Sequence, residues 1–268
     1  MDNDFIEIQL VANAGVLVRY QGRGMLVDGI HHEDGHPFNQ VPLMDLHLMK
    51  TGSPPYNNLD YLFFTHEHPD HFTVEYVMEH IKQRAAKALF LPDEAGGSPN
   101  LSSLLREAGL RGIPCTTLGL EPGESRIFTV EKWLKVTVVG TRHMGPQYQD
   151  VRNDCFMLSL GGRNILFTGD ADHHPGYFEN ALEGLKPDTV FVNPIFYHNA
   201  EGRKIINNIL KPETVVIYHL PSLENDPLNL NYTVARAVKK YSNAQQQTIV
   251  FNTEKQKLRL PVLNPLSA

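Results

Sequence analysis

At 268 residues, with a net charge of −6 and a pI near 6.1, the chain is long enough for a sizeable core and too acidic for a broad electrostatic nucleic-acid surface, although a local basic groove stays compatible with it. Its composition, 41% hydrophobic and 20% charged, is that of an ordinary globular protein, and the two cysteines, Cys115 and Cys155, lie in no C-x-x-C pair, which excludes a disulfide framework and fits two small buried thiols in a reducing interior. The start, Met1-Asp2-Asn3-Asp4, lacks the basic, apolar character of a secretory leader, and no run approaches the roughly 18 apolar residues of a membrane span, so the expectation is a soluble, cytoplasmic protein.

In chain order, the first part reads as a strand meander. Ile6 to Val11 alternates with period two, Val16-Leu17-Val18 follows Gly15, and Met25-Leu26-Val27 runs into Asp28-Gly29. Residues 31–58 form a long connection rich in His, Pro, Gly and Asn, a kind of segment that tends to be functional or mobile. A buried strand, Tyr61-Leu62-Phe63-Phe64-Thr65, leads directly into His66-Glu67-His68-Pro69-Asp70-His71. Val74, Val77, Met78 and Ile81 then follow the spacing of a helix with one apolar face, with Thr73 as its N-cap and Glu75 suited to the positive end of its dipole. A strand at Ala88–Leu91 and a helix at Leu101–Ala108 come next. Strands are predicted at Arg126–Val130, Leu134–Val139 and Phe156–Leu160, and Gly161-Gly162 turns the chain into Asn164–Phe167.

The last part has a βα rhythm. Leu185-Lys186-Pro187-Asp188-Thr189-Val190-Phe191-Val192 is echoed by Leu210-Lys211-Pro212-Glu213-Thr214-Val215-Val216-Ile217, each copy reading as a helix end, a proline stop and a buried strand. Ile205, Ile206, Ile209 and Leu210 mark a helix between them, and a helix near Val234–Tyr241 and a strand near Thr248–Phe251 close the series, with a loosely held tail from about Pro261. No linker interrupts residues 1–268. The expectation is one α+β domain: two mixed β-sheets packed face to face, with helices on both outer sides.

Four potential metal ligands crowd the turn after the Tyr61–Thr65 strand. On an extended segment His66 and His68 point the same way, while Asp70 and His71 can project to a second point nearby, so this one segment offers two ligands to each of two metals. Further ligands are expected at the C-terminal ends of other strands. Three residues occupy such places: His143 after Val136–Gly140, Asp170 after Ile165–Gly169, and His219 after Val215–Tyr218.

This ordered set, H-x-H-x-D-H after a buried strand, then a strand-end His, Thr168-Gly169-Asp170 and a second strand-end His, resembles the metallo-β-lactamase superfamily and its αββα sandwich over Asp28 to His219. In detail it looks closest to the branch that contains ascorbate 6-phosphate lactonases and N-acyl-phosphatidylethanolamine phospholipases D. The resemblance implies a first metal on His66, His68 and His143, a second on Asp70, His71 and His219, and Asp170 between the two. It also implies that Asp28 supports the site from behind, where a turn-forming Asp-Gly is the alternative. A carboxylate at the position of Asp170 is uncommon in true β-lactamases of the zinc type, which argues against β-lactam hydrolysis.

The implied chemistry is hydrolysis of an ester, lactone, amide or phosphoester of a small or amphiphilic molecule, with a hydroxide shared by two divalent ions as nucleophile and Asp70 orienting it. Nitrogen and oxygen ligands without a thiolate suit zinc first, with manganese or iron compatible. His173, three residues past Asp170, and His198, after the strand ending at Asn193, are candidate leaving-group donors or substrate contacts. His31, His32, His36 and His174 are rim positions, and Arg142, Tyr148, Arg152 and Asn153 flank His143. Competing readings are a nuclease, against which the net acidity counts, iron-dependent persulfide or thioester chemistry, and a metal-stabilised binding protein without turnover.

Overall fold

Apolar β-branched and aromatic runs, punctuated by Asn and Gly at positive φ, build the first of two compact units, residues 1–119 with 254–261. In the computed structural model, which describes residues 4–33, 38–93, 100–242 and 244–263, this unit begins with an antiparallel meander of Phe5–Ala12 (β1), Gly15–Tyr20 (β2) and Arg23–Val27 (β3). Leu59–Phe63 (β4), Ala88–Leu91 (β5) and Cys115–Thr117 (β6) extend the sheet in parallel. The connections carry the helices Leu43–Thr51 (α1), Val74–Gln83 (α2) and Leu101–Leu110 (α3). The seventh strand, Lys257–Pro261, returns to pair with β1.

The second unit, residues 120–253 with 262–268, repeats that construction. Ser125–Glu131 (β7), Leu134–Arg142 (β8), Arg152–Leu160 (β9) and Arg163–Phe167 (β10) form an antiparallel meander. Thr189–Val192 (β11), Thr214–Ile217 (β12) and Gln247–Val250 (β13) follow in parallel; Lys257–Pro261 is thus β14. Its helices are Gly176–Glu179 (α4), Pro194–His198 (α5), Ala200–Lys204 (α6), which runs into a π-helical stretch at Ile205–Leu210, and Leu230–Tyr241 (α7). The sequence echo is realised in register, Thr189 opposite Thr214 and Val192 opposite Ile217. The helix end read at Leu185 is irregular and follows a turn over residues 180–184, whereas Ile206 and Leu210 are buried as expected.

The central strands β4, β11 and β12 are buried on both faces, and for that reason read as mainly apolar runs. Leu62, Leu89, Val77 and Leu104 share a helix-side core in the first unit, as do Leu166, Val190, Val215 and Phe196 in the second. On the opposite faces Phe63 stacks on Phe90 at 5.0 Å, and Phe167 on Phe191 at 4.6 Å. The fold class expected from sequence, α+β with two mixed sheets, is the one observed.

Several local expectations are corrected. α1 occupies the connection read as irregular. Thr73 precedes α2 but does not cap it, since its hydroxyl accepts the His32 amide at 3.1 Å. Pro261 ends a strand and the Leu263 amide donates to Gly161 O at 2.9 Å; the rest of the tail, like His36, lies outside the described residues. Cys155 is fully buried, which pushes its thiol pKa up, while Cys115 is only partly covered. Among the described residues no helix is long and apolar enough to cross a membrane.

His80, on the buried face of α2, finds no hydrogen-bond partner for either ring nitrogen among the described residues, and burial, aided by Arg84, depresses its pKa to about 4. A depressed histidine pKa means that the unfolded chain binds the proton first. Stability from the neutral ring is therefore full above about pH 6.5 and is lost as pH falls towards about 4. Between pH 7 and 5 the loss is on the order of 2 kcal/mol. His80→Leu is expected to remove that part of the acid sensitivity, measured as the difference between the two proteins' urea midpoints at pH 7 and pH 5.

Candidate metal centre

In the first unit the candidate ligands sit where β4 gives way to α2. The amides of His71 and Phe72 both donate to His68 O at 2.9 Å, folding the segment back on itself, and Ile30 bridges Phe72. His66, Asp70 and His71 are buried and His68 partly so. His66 Nε2 faces His68 Nδ1 at 3.1 Å, and His71 Nε2 lies 3.8 Å from Asp70 Oδ2.

Behind this array stands Asp28, fully buried at the end of β3 with a left-handed φ of +48°. Gly29 follows because a Cβ there would lie 2.4 Å from Leu26 Cδ1. Asp28 Oδ1 accepts the Thr65 amide at 2.8 Å, and Oδ2 accepts both the Thr65 hydroxyl at 2.7 Å and His71 Nδ1 at 2.9 Å. With its proton committed to the carboxylate, Thr65 Oγ1 can only accept from His66 Nδ1, 3.0 Å away. One carboxylate thus fixes the tautomer of two rings and leaves each Nε2 lone pair for a cation. Asn13, in the β1–β2 turn, donates Nδ2 to Asp70 Oδ2 and to Asp70 O at 3.1 Å each.

In the second unit His143 and Asp170 are tied together by main chain. His143 bridges Ala171, the Met144 amide donates to Asp170 O and the Asp172 amide to Arg142 O, both at 2.8 Å. His219 follows β12 at φ +59°, a left-handed conformation that costs a residue with a Cβ about 1–3 kcal/mol and is typical of functional positions. Asp170 Oδ2 lies 3.4 Å from His143 Nε2 and 3.6 Å from His219 Nε2. Its Oδ1 accepts Asn193 Nδ2 at 3.0 Å, and its amide donates to Asn153 Oδ1 at 2.9 Å. Asn153 Nδ2 in turn donates to Thr168 O at 3.0 Å, and Asn193 Oδ1 caps α5 through the Phe196 amide at 2.8 Å.

The protonation pattern tests whether a metal fits. His143 Nδ1 is 2.6 Å from Met144 O, and because a carbonyl only accepts, the proton of the neutral ring is on Nδ1. In that tautomer Nε2 carries the lone pair and faces a carboxylate oxygen at 3.4 Å, a pairing that a shared cation stabilises. The separation exceeds a charge-assisted hydrogen bond, about 2.7–2.9 Å, and matches the ~3.4 Å edge of two donors bound at ~2.1 Å with tetrahedral geometry. The residues fit a divalent ion, and the imidazole and carboxylate donors are compatible with zinc, manganese or iron.

Other expected positions are divided. His173 is largely buried; its Nδ1 lies 3.4 Å from Asp172 Oδ1, and its Nε2 has no hydrogen-bond partner among the described residues. Burial lowers its pKa against the opposing effect of Asp172. Beside it a cavity of about 550 Å³ is lined by Arg142, His143, Asp150, Asp172 and Tyr177. His198 is exposed at the end of α5 and lines a different cavity with α7. His32 Nδ1 is 3.0 Å from Val41 O, and His174 packs on Tyr177 at 4.8 Å. Arg152 makes an exposed pair with Glu121 at 3.1 Å. Sequence reasoning missed Thr65, Asn13 and Asn193 and saw Asn153 only as a flank; the one local signal was Thr65 abutting the His cluster.

No protein-family model matches the chain. A curated relative, the 4-amino-L-phenylalanyl-[CmlP-peptidyl-carrier-protein] 3-hydroxylase of Streptomyces venezuelae, is 26% identical over 200 residues, which is 69% of this chain and 33% of that protein. The match thus spans about one third of the relative's length. Among solved structures, CmlA, a diiron β-hydroxylase from Streptomyces venezuelae, matches 97% of this chain and 54% of its own at 18% identity and a TM-score of 0.58. An isothiocyanate hydrolase from Delia radicum gut bacteria matches 95% of this chain and 99% of its own at 15% identity and a TM-score of 0.65.

If Thr65 carries the orienting influence of Asp28 to His66, Thr65→Val is expected to weaken divalent-metal retention ~10–100-fold while leaving the fold intact. Chelator competition read by metal analysis, with circular dichroism as the control for folding, checks it.

Proposed function

We propose, for a chain with the metallo-β-lactamase-like fold, that it is a metal-dependent hydrolase whose two ligand arrays serve one dinuclear centre. The observation that supports the reading is the 3.4 Å separation of His143 Nε2 from Asp170 Oδ2, the edge expected of two donors on one divalent ion. The reading joins the arrays in three sets of donors: His66, His68 and His143; Asp70, His71 and His219; and His66, His71 and Asp170. They correspond to the first ion, the second ion and the carboxylate between them. In this reading residues 1–268 work as a single domain.

Two divalent ions held there would supply Lewis acidity and water activated near neutral pH. The chain's own groups do the rest. Asp70, steadied by Asn13, orients the attacking water and takes its proton. Asp28 and Asn193 hold the ligands and spare the centre reorganisation as charge develops. The cavity beside His143 has the size of a small-molecule site. His173 Nε2, kept neutral by burial, exchanges a proton with the leaving group, its ring aligned by Asp172. The substrate class is an ester, lactone or phosphoester of a small or amphiphilic molecule, and zinc is the first choice of metal.

A second reading has a specific observation behind it. The curated relative and one fold neighbour are named as hydroxylases, the latter as diiron, and nitrogen and oxygen donors are compatible with iron. Iron-dependent oxidation of a carrier-bound or free substrate is then the alternative. Metal analysis of protein purified without added metal separates the two readings, together with oxygen-uptake measurements and a panel of lactones, esters and bis(p-nitrophenyl) phosphate.

Asp170→Asn is expected to lower metal content and turnover together; full activity with both metals retained would remove Asp170 from the centre. His173→Gln is expected to keep the metals and lower kcat by about 10²-fold with little change in KM. Steady-state kinetics on the most active panel substrate, paired with metal analysis, resolves both.

A further inference from the structure

α7 carries an unusual concentration of positive charge for an acidic protein. A concavity of about 760 Å³ runs along it, lined by His198, Tyr232, Arg236, Lys239, Lys240 and Tyr241, and no carboxylate is among its lining residues. Arg236, Lys239 and Lys240 form no ion pair among the described residues, whereas elsewhere on the chain cations such as Arg111, Arg163 and Lys204 have acidic partners. The helix dipole accounts for Lys239 and Lys240, which lie in the last turn of α7. It does not account for Arg236 in the middle of the helix, where a like charge four residues from Lys240 is unfavourable.

A fourth cation borders the groove. Arg203, on α6, places its guanidinium 3.7 Å from the ring centroid of Tyr241 and donates to Tyr197 O and His198 O. Lys240 Nζ lies 5.0 Å from the same ring, and the Arg236 guanidinium 5.8 Å from that of Tyr232, which is largely exposed. The aromatic rings thus brace the cations, and Tyr232 keeps a face open to solvent. Three cations within little more than one helical turn match the charge of two adjacent phosphates, and the open ring suits a planar group attached to them.

We propose that this concavity is a binding site for a small diphosphate-bearing molecule with a planar ring, of the nucleoside diphosphate class, separate from the candidate metal centre. The inference goes beyond the hydrolase reading and stands without it. His198, on the groove wall, acts there as a ligand contact.

Titration calorimetry of the full, metal-loaded chain with inorganic pyrophosphate, ADP and adenosine tests it. Pyrophosphate and ADP are expected to bind, more weakly as salt is raised, while adenosine does not. Binding is expected to weaken by at least about tenfold in Arg236→Gln/Lys240→Gln and to be retained in Asp170→Asn. Tyr232→Ala should weaken ADP and spare pyrophosphate. Undiminished binding to the Arg236→Gln/Lys240→Gln protein would overturn the proposal. So would loss of binding in Asp170→Asn, which would assign the anion to the metal centre, or binding of single-stranded RNA with no binding of either small anion, which would make the face a nucleic-acid surface.

Discussion

A carboxylate withdrawn from water must be surrounded by donors or neutralised, and Asp28 and Asp170 meet that demand in different ways. Asp28, fully buried, is satisfied by protein alone: an amide, a hydroxyl and an imidazole N–H converge on it. Asp170 accepts Asn193 Nδ2 on Oδ1, while its Oδ2 faces the His143 and His219 Nε2 atoms at 3.4 and 3.6 Å. The first carboxylate orders rings, and the second lies among donors that could hold a metal ion. Thr65 serves the first of these groups, Asn153 and Asn193 the second, and Asn13 holds Asp70.

The repeated construction of the two units gives these carboxylates equivalent positions. In each sheet an antiparallel meander changes to parallel crossovers, at β3–β4 in one and at β10–β11 in the other. Asp28 follows the last meander strand of its sheet, and Asp170 follows the last meander strand of the other. The next strand supplies the His66–His71 segment in the first case and Asn193 in the second. Open sheets tend to place ligands at such switch points, where neighbouring crossovers diverge. The backbone conformations agree: Asp28, Gly169 and His219 all take positive φ where the chain leaves a strand.

Much of this was legible in the residues. The H-x-H-x-D-H cluster, the strand-end positions of His143, Asp170 and His219, and the echo that sets β11 beside β12 are local patterns with physical meaning, and the mixed-sheet class followed from them. The misses share a cause. Thr65, Asn13, Asn153 and Asn193 are single polar residues whose importance lies in what tertiary structure sets opposite them, and no spacing rule marks them. α1 is preceded by a proline and has no side-chain cap, so it lacks the entry signal of a helix. β6 spans only three residues, and β14 alternates charged with apolar residues close to the region read as a loose tail. His198, expected on the rim from its place after a strand, lines the cavity along α7, a neighbour that position along the chain does not reveal.

The placement of β14 bears on how the protein is made. β1 and β14 are hydrogen-bonded neighbours although one precedes and the other follows every other strand among the described residues. Until residues 257–261 are in place the outer edge of β1 lacks its neighbour and offers unpaired backbone groups to other strands. Glu7 on β1 is the one charge near that edge which later receives Lys257 and Arg259, at 3.1 and 3.3 Å. Until then it stands as an unneutralised carboxylate that discourages pairing with a strand from another nascent chain.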